Sequence, residues 1–261
     1  MNFDDIEFDD LAVLINKFDD RMFWKELSDK DGSIKAFNEL VSKVKESQDW
    51  PKNRNSEKGR LLEELAVFVY ERFQDVKVTK NYRPADNETD IEVEMTEKKS
   101  PDFITEYIGP KIICECKNYK SKSIDVGVIA KLAELTPKRG ARFGVFFSIL
   151  GVGGYEWRYG EGKRKKILLK DQIPLISFKL SELEKLQDGL NFYTLIKQKV
   201  RALFDEVDDE SPDSPPKGHR EYSKRMLEIV SHFEKCGIIT HDENLDITTR
   251  IVTRYGIVDN G

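Results

Sequence analysis

A chain of 261 residues, 39% hydrophobic and 35% charged, is long enough for one large core with extensions. No apolar run approaches the roughly 18 residues that span a bilayer, and the acidic start Met1-Asn-Phe-Asp-Asp-Ile-Glu7 lacks the basic and apolar regions of a signal peptide, so a cytoplasmic protein with no membrane partner is expected. The net charge of −5 argues weakly against a nucleic-acid partner, yet Lys111 to Lys170 holds 14 Lys/Arg against 5 Asp/Glu, and local patches, not totals, attract phosphate backbones.

Residues 1–50 read as helical, with Leu11, Leu14, Ile15 and Phe18 on one face and Phe37, Leu40, Val41 and Val44 repeating the spacing. They form either an accessory layer or a partner-binding arm. Asp49 to Ser56 reads as a loop. A strong helix follows from Arg60 to about Phe73, with Leu62, Ala66, Val69 and Phe73 as its stripe and Glu63 at the flank, whereas Glu64 points almost opposite. Val76 to Thr79 alternates as a strand, Arg83 to Asn87 makes a turn, and Thr89 to Met95 alternates again. A loop or hairpin through Ser100-Pro101-Asp102 leads to Lys111-Ile-Ile-Cys-Glu-Cys-Lys117, a further strand.

A helix is expected from Asp125 to Leu135, ended by Thr136-Pro137, and a strand buried on both faces over Gly144 to Leu150. Gly151 to Gly154 lacks the Lys-Ser/Thr of a phosphate-binding loop and is a turn. Trp157 to Leu169 suggests a basic hairpin, whose Trp157 and Tyr159 suit stacking on a base and whose Arg158, Lys163, Arg164, Lys165 and Lys166 suit a phosphate backbone. Ile173 to Phe178 is a last short strand, Ser181 to Leu186 and Asn191 to Phe204 are helices, and acidic, proline-containing Asp205 to Lys217 reads as a linker. The tail, with a helix over Tyr222 to Phe233, is a small helical or winged element. The domain division is 1–57 as a helical extension, 58–190 as the core, and 191–261 as a helical region with its linker at about 205–218.

Chemistry concentrates on the strand Lys111 to Lys117. Successive strand side chains alternate, so Glu115 and Lys117 share one face, and Cys114 and Cys116 share the other. Burying charge is unfavourable unless it is paired or holds a metal. A salt-bridged edge strand accounts for that pattern, and so does a metal ligand beside a lysine acting on a water. Three cysteines make no disulfide framework, Cys114-x-Cys116 lacks a second pair for zinc, and His219, His232 and His241 all come late, far from any acid or serine cluster.

Taken in order, Lys58-Gly59-x-x-Leu62-Glu63, Val76-x-Val78-Thr79-Lys80, Thr89-Asp90-Ile91, and Cys114-Glu-Cys-Lys-Asn-Tyr-Lys120 followed by Val126-Gly-Val128 resemble the PD-(D/E)XK nuclease superfamily. Within it the likeness is to the Mrr-type restriction endonuclease domain, over about residues 58–180. The resemblance implies an α/β fold, a restriction-endonuclease-like mixed central sheet flanked by helices, here with helical N- and C-terminal extensions. It implies metal-dependent hydrolysis of DNA phosphodiester bonds, in restriction, defence or repair. Asp90 and Glu115, with the Cys116 backbone carbonyl and Glu63, would hold Mg²⁺ or Mn²⁺, and Lys117 would orient or activate the water. Lys120 and Lys122, together with the basic hairpin, would contact DNA. A homodimer, or a protein partner that supplies specificity, is compatible with this. The literal Pro-Asp of the superfamily falls at Pro101-Asp102, whereas Asp90 opens a clean alternation; Asp90 is favoured, with Asp86 and Glu92 as minor candidates. The alternative is a catalytically silent nuclease-fold protein that binds nucleic acid or a partner.

Overall fold

The computed structural model describes residues 18–82, 88–95, 100–154, 159–208 and 220–255. Leu11, Leu14, Ile15, the Arg83 to Asn87 turn with Asp86, Trp157, Arg158 and His219 lie outside the described residues. The chain divides into two units, one ending at Asp209 and one beginning at Glu210.

In the first unit, helix α1 (Ser33–Glu46) is followed by α2 (Asn55–Tyr70), strands β1 (Val76–Tyr82), β2 (Thr89–Met95) and β3 (Lys111–Lys117), and helix α3 (Val126–Lys138). Strand β4 (Phe143–Ser148), helix α4 (Tyr159–Asp171), strand β5 (Leu175–Lys179), the short α5 (Leu180–Leu183) and α6 (Phe192–Asp208) complete it. The strands form one mixed five-stranded sheet in the order β1-β2-β3-β4-β5. β1, β2 and β3 are antiparallel neighbours, whereas β3, β4 and β5 run parallel. Parallel neighbours need a crossover, and α3 and α4 supply the two.

Alternation assigns the two faces. Ile91, Val93, Ile112, Cys114, Cys116, Val145, Phe147 and Phe178 look into the larger core, covered by α1, α2 and α6. Ile113, Phe146 and Leu175 look the other way, into a smaller core with Ile129 and Leu132 of α3 and Ile167 of α4. α1 commits Phe37, Val41 and Val44 to the larger core, one per turn, and α2 commits Leu62, Leu65, Ala66 and Val69. Both the segment before residue 58 and the helix after residue 190 are therefore built into this core. Trp24 is fully buried, its Nε1 donating to the Val69 carbonyl at 2.9 Å, and Asn191 Nδ2 donates to the Trp24 carbonyl at 3.1 Å.

On the other face α3 comes close to β4 at Gly144. A Cβ there would lie 2.4 Å from Leu175 Cδ2 and 3.0 Å from Leu132 Cδ2. Gly144→Ala is expected to lower stability by about 1–3 kcal/mol through overpacking, read as a lower urea midpoint at unchanged m-value; an unchanged midpoint would mean that the helix is free to shift.

Several expectations need correction. The basic hairpin is instead the helix α4. Lys163 to Leu169 consists of helix formers, and Gly160 lets the first turn sit on the preceding loop, where a Cβ would meet the Gly153 carbonyl oxygen at 2.7 Å. The loop at Ser100 to Asp102 continues into a helical turn, Ile104–Ile108. Pro137 does not end α3 but sits inside its last turn, while Asp125 caps the start by accepting from Val128 N at 3.0 Å. The expected linker is helical as far as Asp208.

The second unit holds α7 (Arg220–Lys235) and α8 (His241–Tyr255), joined through Gly237, whose φ of 69° is left-handed. Ile247 to Ile251 lies in a helix, so the helical alternative describes this unit rather than the winged one. No described helix is long and apolar enough to cross a membrane.

Candidate active site

The β2–β3 register sets the geometry. Ile91 pairs with Cys114 across the antiparallel ladder, so one step further places Asp90 opposite Glu115, and paired residues share a face. Lys117 follows two residues on, on the same side. All three leave the sheet on the face that carries α3.

Their contacts form one cluster. Lys117 Nζ donates to Glu115 Oε1 at 2.6 Å and lies 3.8 Å from Asp90 Oδ2. Asp90 Oδ2 accepts from the Cys116 backbone N at 2.7 Å. Glu115 is only 1% exposed, and its Oε1 also accepts from Lys131 Nζ of α3 at 3.1 Å. Glu115 Oε2 is buried with no hydrogen-bond partner among the described residues. Burial first, and then the neighbouring Glu115, push the Asp90 carboxyl up to about 6, against the pull of Lys117 and the Cys116 N–H. For Lys117, burial opposes the charge, but Glu115 and Asp90 outweigh it and raise the ammonium pKa. Lys117 is thus a cation held between two carboxylates that disfavour each other.

Glu63 sits on the flank of α2, its Oε2 3.5 Å from Lys80 Nζ, whereas Glu64 is half exposed. Glu63, Asp90, Cys116 and Lys117 line one cleft of about 970 Å³. Asp102 does not line that cleft and is exposed. Glu92 points to the same face as Asp90 but is engaged by Thr89 Oγ1 at 3.0 Å, Arg139 Nε at 2.5 Å and Lys111 Nζ at 3.5 Å. It is a structural ion pair.

Among the described residues no group of three or more His, Cys, Asp and Glu side chains is placed to hold a metal. The donor set nevertheless fits a hard divalent cation that keeps several waters and uses one or two carboxylates. Asp90 and Glu115 supply oxygen only, one buried Glu115 oxygen lacks a partner, and a second positive charge would offset the repulsion that raises Asp90.

The expected DNA contacts divide. Lys120 and Lys122 line the cleft, each in a surface ion pair, with Asp49 at 2.5 Å and Asp125 at 2.8 Å. Arg164 and Lys165 require correction: Arg164 is held by Glu161 and by Glu206 at 3.2 Å, and buried Lys165 lies 3.5 Å from Glu206, so neither faces solvent as a free cation. Their helix turns them inward onto α6. Lys163 borders a different groove, between α3 and α4, and Lys166 is exposed.

Two contributors were not read from the sequence. Lys131 is the first charged residue of a helix whose first five residues are apolar, which was its only signal. Asn118 is nearly buried beside Lys117; its Nδ2 donates to the Lys58 carbonyl at 2.6 Å and to Ser47 Oγ at 3.2 Å, and its Oδ1 accepts from Gln48 Nε2 at 2.5 Å. It ties the end of β3 to α2 and to the turn that follows α1. Asn118→Ala should cost about 2 kcal/mol by leaving buried partners unpaired, measured by urea unfolding; a loss below about 0.5 kcal/mol would mean that the tie carries no weight.

The fold and cluster define an α/β protein with a mixed five-stranded sheet and a carboxylate–lysine site at the end of its central strand. No family model, curated protein or solved structure matches the chain.

Proposed function

We propose that the chain is a Mg²⁺-dependent, or Mn²⁺-dependent, DNA endonuclease of restriction-endonuclease-like architecture that hydrolyses phosphodiester bonds. The observation that carries this is the convergence of Asp90, Glu115 and Lys117 on one face of two paired strands, with Lys117 2.6 Å from Glu115 and 3.8 Å from Asp90. Asp90 and Glu115 are the residues that would hold the cation, supported by the Cys116 carbonyl and Glu63. A bound divalent cation supplies positive charge for the pentavalent phosphorus and a water of lowered pKa. Lys117, kept charged by its carboxylates, orients that water and offsets charge on the phosphoryl oxygens. Lys131 fixes Glu115 through Oε1, leaving Oε2 with no donor among the described residues. Membership of the PD-(D/E)XK superfamily is part of the same proposal, supported by the same residues.

A silent, binding-only protein of the same fold is the second reading, favoured by the lack of a three-ligand metal group among the described residues. Incubation with plasmid, linear and branched DNA in Mg²⁺, Mn²⁺ or EDTA separates the two. Nicking or linearisation that needs the metal and disappears in Lys117→Ala is expected. DNA binding without any cutting would sustain the silent reading instead.

A further inference from the structure

Buried charges in the first unit come with counter-charges. Glu92 has Arg139 and Lys111, Glu115 has Lys117 and Lys131, and Lys165 has Glu206. Lys58 is the exception. It is only 9% exposed, lines the same cleft as Asp90 and Lys117, and has no carboxylate within ion-pair distance among the described residues. Asp49, the acid whose charge reaches it, is engaged by Lys120 at 2.5 Å. Its stem is buried while its ammonium opens to the cleft with no protein counter-charge among the described residues; burial and then the charge of Lys120 lower its pKa.

The position of Lys58 adds a second feature. It lies in the first turn of the sixteen-residue helix α2, and Asn55, Ser56 and Gly59 of that turn line the cleft with it. A helix start offers unpaired N–H groups and a partial positive charge to an anion. Asn118 fixes this turn to the residue after Lys117 by its 2.6 Å bond to the Lys58 carbonyl. Lys120 and Lys122 line the same cleft.

We infer that the first turn of α2, with Lys58, is a subsite for a backbone phosphate of a bound nucleic-acid strand, adjacent to the phosphodiester presented to Lys117. The inference rests on the nuclease reading for its choice of ligand, but binding tests it without cutting. A phosphate oxygen supplies the counter-charge that Lys58 lacks and accepts from the helix start. The lysines that line the cleft with it suit a run of phosphates.

The test measures affinity of the full chain for a short fluorescent duplex of mixed sequence, in EDTA, across a salt series. Lys58→Met should weaken binding by about tenfold at low salt and reduce the slope of log affinity against log salt by about 0.9, one phosphate contact. Lys58→Arg should retain most of both, and Lys185→Met, an exposed residue outside the cleft, should change neither. Melting of the Lys58→Met protein at the wild-type temperature excludes unfolding as the cause. Unchanged affinity and slope in Lys58→Met would overturn the subsite. So would a Lys58-dependent rise in melting temperature with inorganic phosphate alone and no change in duplex binding, because the site would then take a free anion. Cleavage is scored separately: a protein that binds through Lys58 but never cuts keeps the subsite and loses the nuclease.

Discussion

Replacing Lys117 by methionine is expected to reduce metal-dependent cleavage by about a thousandfold while leaving most DNA affinity in place. A positioned group acting on the attacking water and the phosphoryl charge contributes on that scale, whereas affinity comes from many phosphate contacts. The same substitution removes the 2.6 Å partner of a carboxylate that is 1% exposed. Lys131 remains on Oε1 at 3.1 Å, so the stability loss should be about 2 kcal/mol, below the 3–5 kcal/mol typical of a wholly broken buried pair. Adding Glu115→Gln to Lys117→Met removes the stranded charge and should restore stability without restoring cleavage. Cleavage rates and urea midpoints for the single and double variants check both halves. A Lys117→Met protein that cuts at the wild-type rate would refute the assignment.

Asp90→Asn should do the unusual thing for a site substitution and stabilise the metal-free protein. The Asp90 carboxyl is pushed up to about 6 from an ordinary 3.8, first by burial and then by Glu115. Between those pH values the folded chain holds a proton that the unfolded chain has released, so stability falls as pH rises through the window. At neutral pH the ionised Asp90 therefore costs about 2–3 kcal/mol, which an amide does not incur, and asparagine still offers an oxygen to the Cys116 N–H. In EDTA the variant is expected to melt above wild type at pH 7, with the advantage gone near pH 4. Mg²⁺ should raise the melting temperature of wild type only, because a ligand that binds the native state alone stabilises it. Cleavage should be lost. Asp102→Ala, on an exposed helical turn, should leave melting and cleavage as they are, within about 0.5 kcal/mol. If Asp102→Ala abolishes cleavage and Asp90→Asn does not, the ligand assignment is wrong.

The residues most legible in the sequence are those whose neighbours are local. Thr89 to Met95 and Lys111 to Lys117 alternate, so strand, face and the pairing of Glu115 with Lys117 could be read directly, and the flank position of Glu63 followed from a helical wheel. What could not be read depends on partners distant in the chain. Lys131 meets Glu115 only after a crossover helix docks, Asn118 reaches Ser47 from 71 residues away, and the isolation of Lys58 is a property of the surroundings. Tyr159 to Leu169 misled because aromatic and basic residues separated by glycines suit a hairpin, while the tight seat of Gly160 on Gly153 that permits a helix is invisible without tertiary structure. The acids after Phe204 suggested a linker, yet Glu206 is bound to Arg164 and Lys165.

The connection between Trp24 and Asn191 bears on how the chain acquires its structure during synthesis. Because the strands lie in chain order, each finds its partner in the segment made just before or after it, and the sheet assembles with modest loop closure. The covering layer behaves differently. Thr194 and Lys197 reach Asp20 across 174 and 177 residues, and Phe192 packs against Trp24, Tyr70, Phe73 and Phe147. The earliest helices therefore keep an aromatic surface open until nearly the whole first unit has left the ribosome. That interval is when the nascent chain is most exposed to aggregation and chaperone capture, and docking of α6 is the event that ends it.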